Sequence, residues 1–373
     1  MSNSGDDDLV FLDEGTEEPE EEYLEGGYHR VAVGEKCLGD LYLPLKKLGW
    51  GHFSTVWKCT DRKGSEYAVK VVKSAKEYDE AAKEEIRLLK DLQPESDEEK
   101  GANNVIELLD FYKVEGTNGI HRCLVFPVYA TSLLEIIRAH GHLGTPMGFN
   151  RVVTRQTALA LDFIHSRGLI HADLKPENIM LEEVPEGFFD REEPYDRETE
   201  VYPPEKLRVR VIDLGNAIRS GELLEDVVQT RQYRAPEVIL WHPAMGKSMD
   251  SWSLGCILFE LLTGDILFDP RGGETYSQNE DHLALITELL GPIPKEILRK
   301  GEWSTKYYTK GYRRFQKIKK LKYWPLDRVL VEKYSLNNET IQGPLEVFSQ
   351  LLEVDPEKRS LPGAIASHPW VEA

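Results

Sequence analysis

The chain has 373 residues, 46 of them basic and 65 acidic, and its net charge is −19. That length exceeds what one hydrophobic core supports, so two lobes are expected, each burying its own core. The negative charge opposes nucleic acid and anionic membranes as partners and favours cationic ones.

Residues 1–26 are dominated by Asp and Glu and are expected to form a disordered or loosely docked tail. From 27 to 126 the pattern is β-rich. FSTVWKC and EYAVKVV read as strands across the polar turn TDRKGS, and DEAAKEEIRLLKDL reads as one helix. After the polar loop QPESDEEKGANN, the runs VIELLDFYKV and HRCLVFPVY restore strands. Residues 127–131 connect this lobe to 132–373, where LLEIIRAH, NRVVTRQTALALDFIHS, SMDSWSLGCILFELLTG and EDHLALITELLG carry helical periodicity. The acidic, proline-containing stretch 182–208 reads as a surface insert. The fold class is therefore α+β, a β-rich lobe with one main helix followed by a larger α-helical lobe, and a cleft between lobes is where ligands are expected. Cys37, Cys59, Cys123 and Cys256 show no C-x-x-C spacing, which points to a reducing compartment and away from structural zinc. Apolar runs stop at about ten residues, too short to span a bilayer, and MSNSGDDDLV lacks a signal-peptide pattern.

Several motifs bear on chemistry. Leu48, Gly49, Trp50, Gly51, His52, Phe53, Ser54, Thr55 and Val56 match the phosphate-cradling pattern G-x-G-x-x-G-x-V, with Ser54 in place of the third glycine. Lys70, flanked by valines in YAVKVV, needs an anionic partner. Glu85 in KEEIRLL is the candidate, and Glu84 competes with it. HADLKPENIM matches H-R-D-L-x-x-x-N except that Ala172 stands where arginine is expected. Asp173 is the candidate acceptor of a substrate hydroxyl proton, Lys175 balances charge on a transferring phosphoryl group, and Asn178 is a metal ligand. VIDLG adds Asp213 as a second metal ligand, followed by Leu214 in the usual place of phenylalanine. In RAPE, Glu237 calls for a buried cation, and Arg359 is the candidate. Each motif alone has a bland reading as a turn, a cap or a solvated face. Their joint occurrence in one order does not.

The chain resembles a eukaryotic protein kinase over about residues 27–373. TRQYRAPE, with Arg231 and Arg234, resembles the CMGC group. GGYHRVAVGE, LGWGHFSTVWK, KVVKSAKEY, TGDILFDP, EDHLALITELLG, KKLKYW and VLVEKY together resemble the serine/arginine-protein kinases. The resemblance implies Ser/Thr kinase activity with ATP and Mg2+ on Arg-Ser-rich proteins such as splicing factors. It implies an adenine hinge after the gatekeeper Phe126, formed by Pro127 and Tyr129, with Pro127 departing from the family's usual glutamate. It also implies a docking groove for basic substrates at Asp265, Asp281 and Glu288 beside Lys333, an insert region at about 265–330, and a structural role for Asp250. A monomer is expected, resident in the cytoplasm and also in the nucleus. Competing readings are a pseudokinase scaffold that binds basic segments and a Ser-Pro-directed kinase. Ala172 cannot clamp a phosphate, and Ser220, Thr230 and Tyr233 are the only hydroxyls between Asp213 and Glu237. An enzyme ordered by packing rather than by activation-segment phosphorylation is expected.

Overall fold

Alternating β-branched and aromatic residues build five antiparallel strands, β1 (Leu43–Gly51), β2 (Ser54–Thr60), β3 (Glu66–Val72), β4 (Asp110–Gly116) and β5 (Gly119–Phe126), in the order β1-β2-β3-β5-β4. The computed structural model describes residues 17–96, 98–184 and 207–372. The sheet belongs to the first of two compact units, which runs to Ala130 and includes Ile212–Gly215; the second comprises Thr131–Val211 and the chain from Asn216 onward. Strand period two sends Val69, Val71, Trp57, Cys59, Cys123 and Val125 into one core with Leu38. Lys70, between the two valines, consequently projects from the opposite face. The β1–β2 register shifts between Lys47 and Gly49, next to the glycine-rich turn. A bulge at such a place re-aims the strand.

Helix α1 (Lys76–Asp91) buries Ala82, Glu85, Ile86, Leu88 and Leu89 along one stripe. Two expectations are corrected in this unit. The run VIELLDFYKV is not one strand, because β4 starts only at Asp110. Residues 17–26 are not part of a loose tail: Glu20–Glu22 form a 3-10 turn, and Glu18, 5% exposed, pairs with Lys47. The acidic run finds counter-charges at Lys47 on β1, at Lys73 just past β3 and at Arg30, which composition does not reveal. Residues 1–16 lie outside the described residues.

The second unit holds α2 (Leu133–Ala139), α3 (Met147–Ser166), α4 (Pro236–Leu240), α5 (Ser248–Thr263) and α6 (Gln278–Leu290), then six short helices between Lys295 and Glu372. Every residue of α5 is buried, so it is a core helix and needs no polar face; α3 packs against it. Short strands β6 (Thr131–Ser132), β8 (Ile179–Leu181) and β9 (Val209–Val211) form one ladder, and β7 (Leu169–Ile170) pairs with β10 (Ile218–Arg219). These ladders bracket the 171–178 loop. Of the expected insert, residues 185–206 lie outside the described residues. Its ends are joined by Glu182 N–H donating to Arg208 O at 3.0 Å and by an ion pair of Glu182 with Arg210 at 2.6 Å. No helix among the described residues is long and apolar enough to cross a membrane. The architecture is α+β.

Candidate active site

The expected site residues divide between the units. In the first, Leu48–Val56 form the β1–β2 turn, with Trp50 opposite Thr55 and Gly51 opposite Ser54. His52 and Phe53 are exposed at its tip. Ser54, replacing the third glycine, is buried at the start of β2. Phe126 is buried at the end of β5, and Pro127 and Tyr129 follow half-buried.

Lys70 Nζ donates to both carboxylate oxygens of Glu85, at 2.8 and 3.0 Å, and lies 3.6 Å from Asp213 Oδ1. Glu84 is exposed and pairs with Arg87 instead. Burial disfavours the Lys70 ammonium, but Glu85 and then Asp213 outweigh it and hold its pKa above the ordinary lysine value. The lysine is thus a fixed positive charge. Asp213 has φ 59°, a conformation rare for a non-glycine residue, and Leu214 behind it is fully buried. Strain of this kind at a carboxylate, held by packing behind it, is typical of a ligand-binding position.

In the second unit the 171–178 loop is organised around two aspartates. Asp173 Oδ1 accepts from the hydroxyl of Thr230 at 2.6 Å and from its amide at 3.2 Å. Asp173 Oδ2 accepts from Asn216 Nδ2 at 3.1 Å and lies 3.7 Å from Lys175 Nζ. Three hydrogen-bond donors, with the Lys175 ammonium close by, keep this carboxylate oriented. Asn178 Nδ2 donates to the Asp173 carbonyl at 2.9 Å. That bond leaves Asn178 Oδ1 buried with no hydrogen-bond partner. A buried amide oxygen without a donor is costly unless it has a ligand. The Asn178 oxygen is a hard donor of the kind Mg2+ takes, and so, in the first unit, is the Asp213 carboxylate, so each residue by its chemistry fits that ion.

Asp250, fully buried on α5, accepts from His171 N and Ala172 N, both at 2.9 Å, and from His165 Nε2 at 2.7 Å. Burial raises its carboxyl pKa, yet the His165 bond and charge, the His171 charge and the Ala172 amide more than offset this and hold it below the usual carboxylate value. Ala172 has φ 61° and no exposed surface, and its carbonyl accepts from Gln229 N at 2.9 Å. Both peptide groups of the strained alanine are therefore committed. Glu237 and Arg359 form a bidentate pair at 2.6 and 2.9 Å with both side chains fully buried.

Of the expected docking residues, Asp265 Oδ2 accepts from Lys333 Nζ at 2.9 Å and Tyr334 Oη at 2.7 Å. Asp281 and Glu288 lie seven residues apart on α6, hence on one face and roughly 10 Å apart. Asp281 accepts from Arg271 N at 2.8 Å, and Glu288 Oε1 from Lys322 N at 2.6 Å. Each acid thus already spends an oxygen on its own chain. Asn216, His165 and Gln229 were not anticipated from sequence, and Thr230 was read only as a modifiable hydroxyl.

The protein kinase domain family matches residues 42–371. The serine/threonine-protein kinase SRPK of Physarum polycephalum is 38% identical over 398 residues, covering 96% of this chain and 91% of that protein. Protein kinase dsk1 of Schizosaccharomyces pombe is 33% identical over 466 residues, covering 95% and 85%. Human SRSF protein kinase 3 is 27% identical, covering 97% and 92%. A solved kinase-domain crystal structure superposes with TM-score 0.73 at 28% identity, covering 92% of this chain and 98% of that one.

Proposed function

The chain belongs to the protein kinases and, among them, to the serine/arginine-protein kinases, and on that premise we propose that it phosphorylates serines in Arg-Ser-rich proteins. It is an ATP-dependent serine/threonine kinase. The observation that carries the mechanistic reading is the donor shell of Asp173, which aims a fixed carboxylate from a loop locked by Asp250. In this reading Asp173 orients the substrate serine hydroxyl and takes its proton as the serine oxygen bonds to the γ-phosphorus. The bond from that phosphorus to the β,γ-bridging oxygen breaks, and ADP leaves with the electron pair. Lys70, fixed by Glu85, binds the α- and β-phosphates, and Lys175 offsets charge on the phosphoryl group. The 48–56 turn covers the phosphates, and the Phe126–Tyr129 segment takes the adenine. Asn178 and Asp213 would hold Mg2+, which neutralises charge on the phosphate oxygens.

Arg-Ser specificity is supported by Asp265, Asp281 and Glu288 and by the net charge of −19, which would steer a cationic substrate toward the enzyme. The test is phosphate transfer from Mg-ATP to matched Arg-Ser, Ser-Pro and Lys-Ser peptides by the wild type and by Asp173→Asn. No transfer by the wild type would overturn the enzyme reading, and equal rates on Arg-Ser and Ser-Pro peptides would remove the specificity. Asp281→Lys should raise KM for long Arg-Ser substrates several-fold more than for short ones, with kcat unchanged. Glu288→Lys should act the same way, and since the Asp281 and Glu288 side chains each also accept a backbone amide, from Arg271 and Lys322, unchanged Tm is the control for both variants.

A further inference from the structure

We propose that residues 18–29 form a strap that preorganises the phosphate-binding turn, with Tyr28 as its positioning residue. Tyr28 is 1% exposed, and its hydroxyl donates to the carbonyl of Gly51 at 2.7 Å. Gly51, at the end of β1, lacks the Cβ that would restrict its peptide planes. A trans peptide points its C=O and N–H in opposite directions. Holding the Gly51 oxygen on the Tyr28 side therefore aims the His52 amide of the same peptide unit to the other side of the turn. An amide direction is what a phosphate-cradling loop must control, and fixing it in advance removes an entropic cost from nucleotide binding.

The strap is built for this rather than draped on the sheet. The Tyr28 ring carries Lys73 Nζ 4.3 Å from its centroid, and Lys73, itself buried, pairs with Glu22. The Lys73 amide donates to Phe53 O at 2.9 Å, so one residue ties the strap to the tip of the same turn. Glu18 pairs with Lys47 on β1, the strand that leads into the turn. Ala75, which begins α1 without a side-chain cap, donates its amide to Gly26 O at 2.8 Å, and Ser74 N reaches Gly27 O at 3.2 Å. The strap thus also sets the start of the helix that carries Glu85. The chain doubles back tightly to make these contacts. A Cβ on Gly27 would stand 1.8 Å from Glu22 O, so only glycine makes this turn. Asn118 Nδ2 closes the strap by donating to Tyr28 O at 2.7 Å. Burial and the nearby Glu22 and Glu18 raise the Tyr28 phenol pKa, so the group remains a donor throughout the physiological range.

This inference rests on the assignment of residues 48–56 to the nucleotide phosphates. The test is Tyr28→Phe, which keeps the ring on Lys73 and removes one hydroxyl. Loss of one positioning hydrogen bond should raise the Kd for Mg-ADP and the KM for ATP about 3- to 10-fold, with KM for the peptide and kcat within about twofold. In the nucleotide-free enzyme, hydrogen exchange over residues 48–56 should accelerate selectively. A purely structural tyrosine would lower Tm but leave Mg-ADP affinity within about twofold and exchange in the turn unchanged. That result overturns the proposal, as does equal loss of affinity for peptide and nucleotide. Mg-ADP binding is read without a peptide, so failure of Arg-Ser specificity leaves this test intact. If the wild type did not bind Mg-ADP, the nucleotide assignment itself would fall, and the strap's role with it.

Discussion

The Thr230 hydroxyl donates to Asp173 Oδ1 at 2.6 Å, and Lys175 Nζ reaches the same hydroxyl at 3.4 Å. A threonine in the activation segment thus joins the two residues assigned to chemistry, rather than waiting to be modified. A hydrogen bond to an ionised group contributes about 1.5–3 kcal/mol. If it acts on the transition state, Thr230→Val should lower kcat roughly 10- to 150-fold, with KM for ATP within about twofold of wild type. Thr230→Ser, which keeps the oxygen, should retain most of the activity. Steady-state kinetics at saturating peptide check both variants.

Activity should not depend on phosphorylation of the activation segment. Ala172 carries no side chain to clamp a phosphate, and Asp250 and Gln229 already fix its peptide groups. Phosphatase-treated enzyme is expected to keep its kcat. Loss of activity that returns on phosphorylating Ser220 or Thr230 would show that packing does not order the loop.

Stability should fall as pH rises from about 4.5 to about 7 through Glu260. Burial, with a further contribution from Glu177, raises its carboxyl pKa from 4.5 to about 7 against the lowering effect of the Tyr233 hydrogen bond at 2.7 Å. The folded state therefore holds a proton that the unfolded chain releases near its ordinary carboxylate value. The contribution is fully present below the unfolded value and lost as pH passes the folded one. It amounts to about 3 kcal/mol. Glu260→Gln should flatten the urea midpoint between pH 5 and 8 and stabilise the protein at pH 8.

Arg359→Met should destabilise the second unit by about 3–5 kcal/mol, because Glu237 would be left buried without its cation. Glu237→Gln combined with Arg359→Met should recover part of that loss. Denaturant midpoints of the single and double variants give the coupling directly.

Much of the site was legible because its signals are local. The alternation in YAVKVV puts Lys70 opposite the core valines, and the apolar spacing of Ile86, Leu88 and Leu89 turns Glu85 inward and leaves Glu84 outside. What was illegible came from distance or from charge. Asn216 and Thr230 reach Asp173 from 43 and 57 residues away, and Asp250 reaches Ala172 from 78. The acidic run at 17–26 reads as a solvated tail until Lys47 and Lys73 are seen beneath it.

The amino-acid sequence by itself determined the α+β class and most of the longer strands and helices, and it nominated the residues proposed for chemistry, since period, turn chemistry and residue type act between near neighbours. Tertiary structure alone decided how those residues are aimed. The donors around Asp173, the buried, unpaired Asn178 oxygen and the grip of Tyr28 on Gly51 exist only once packing has brought the segments together, and no local rule encodes which segments those are.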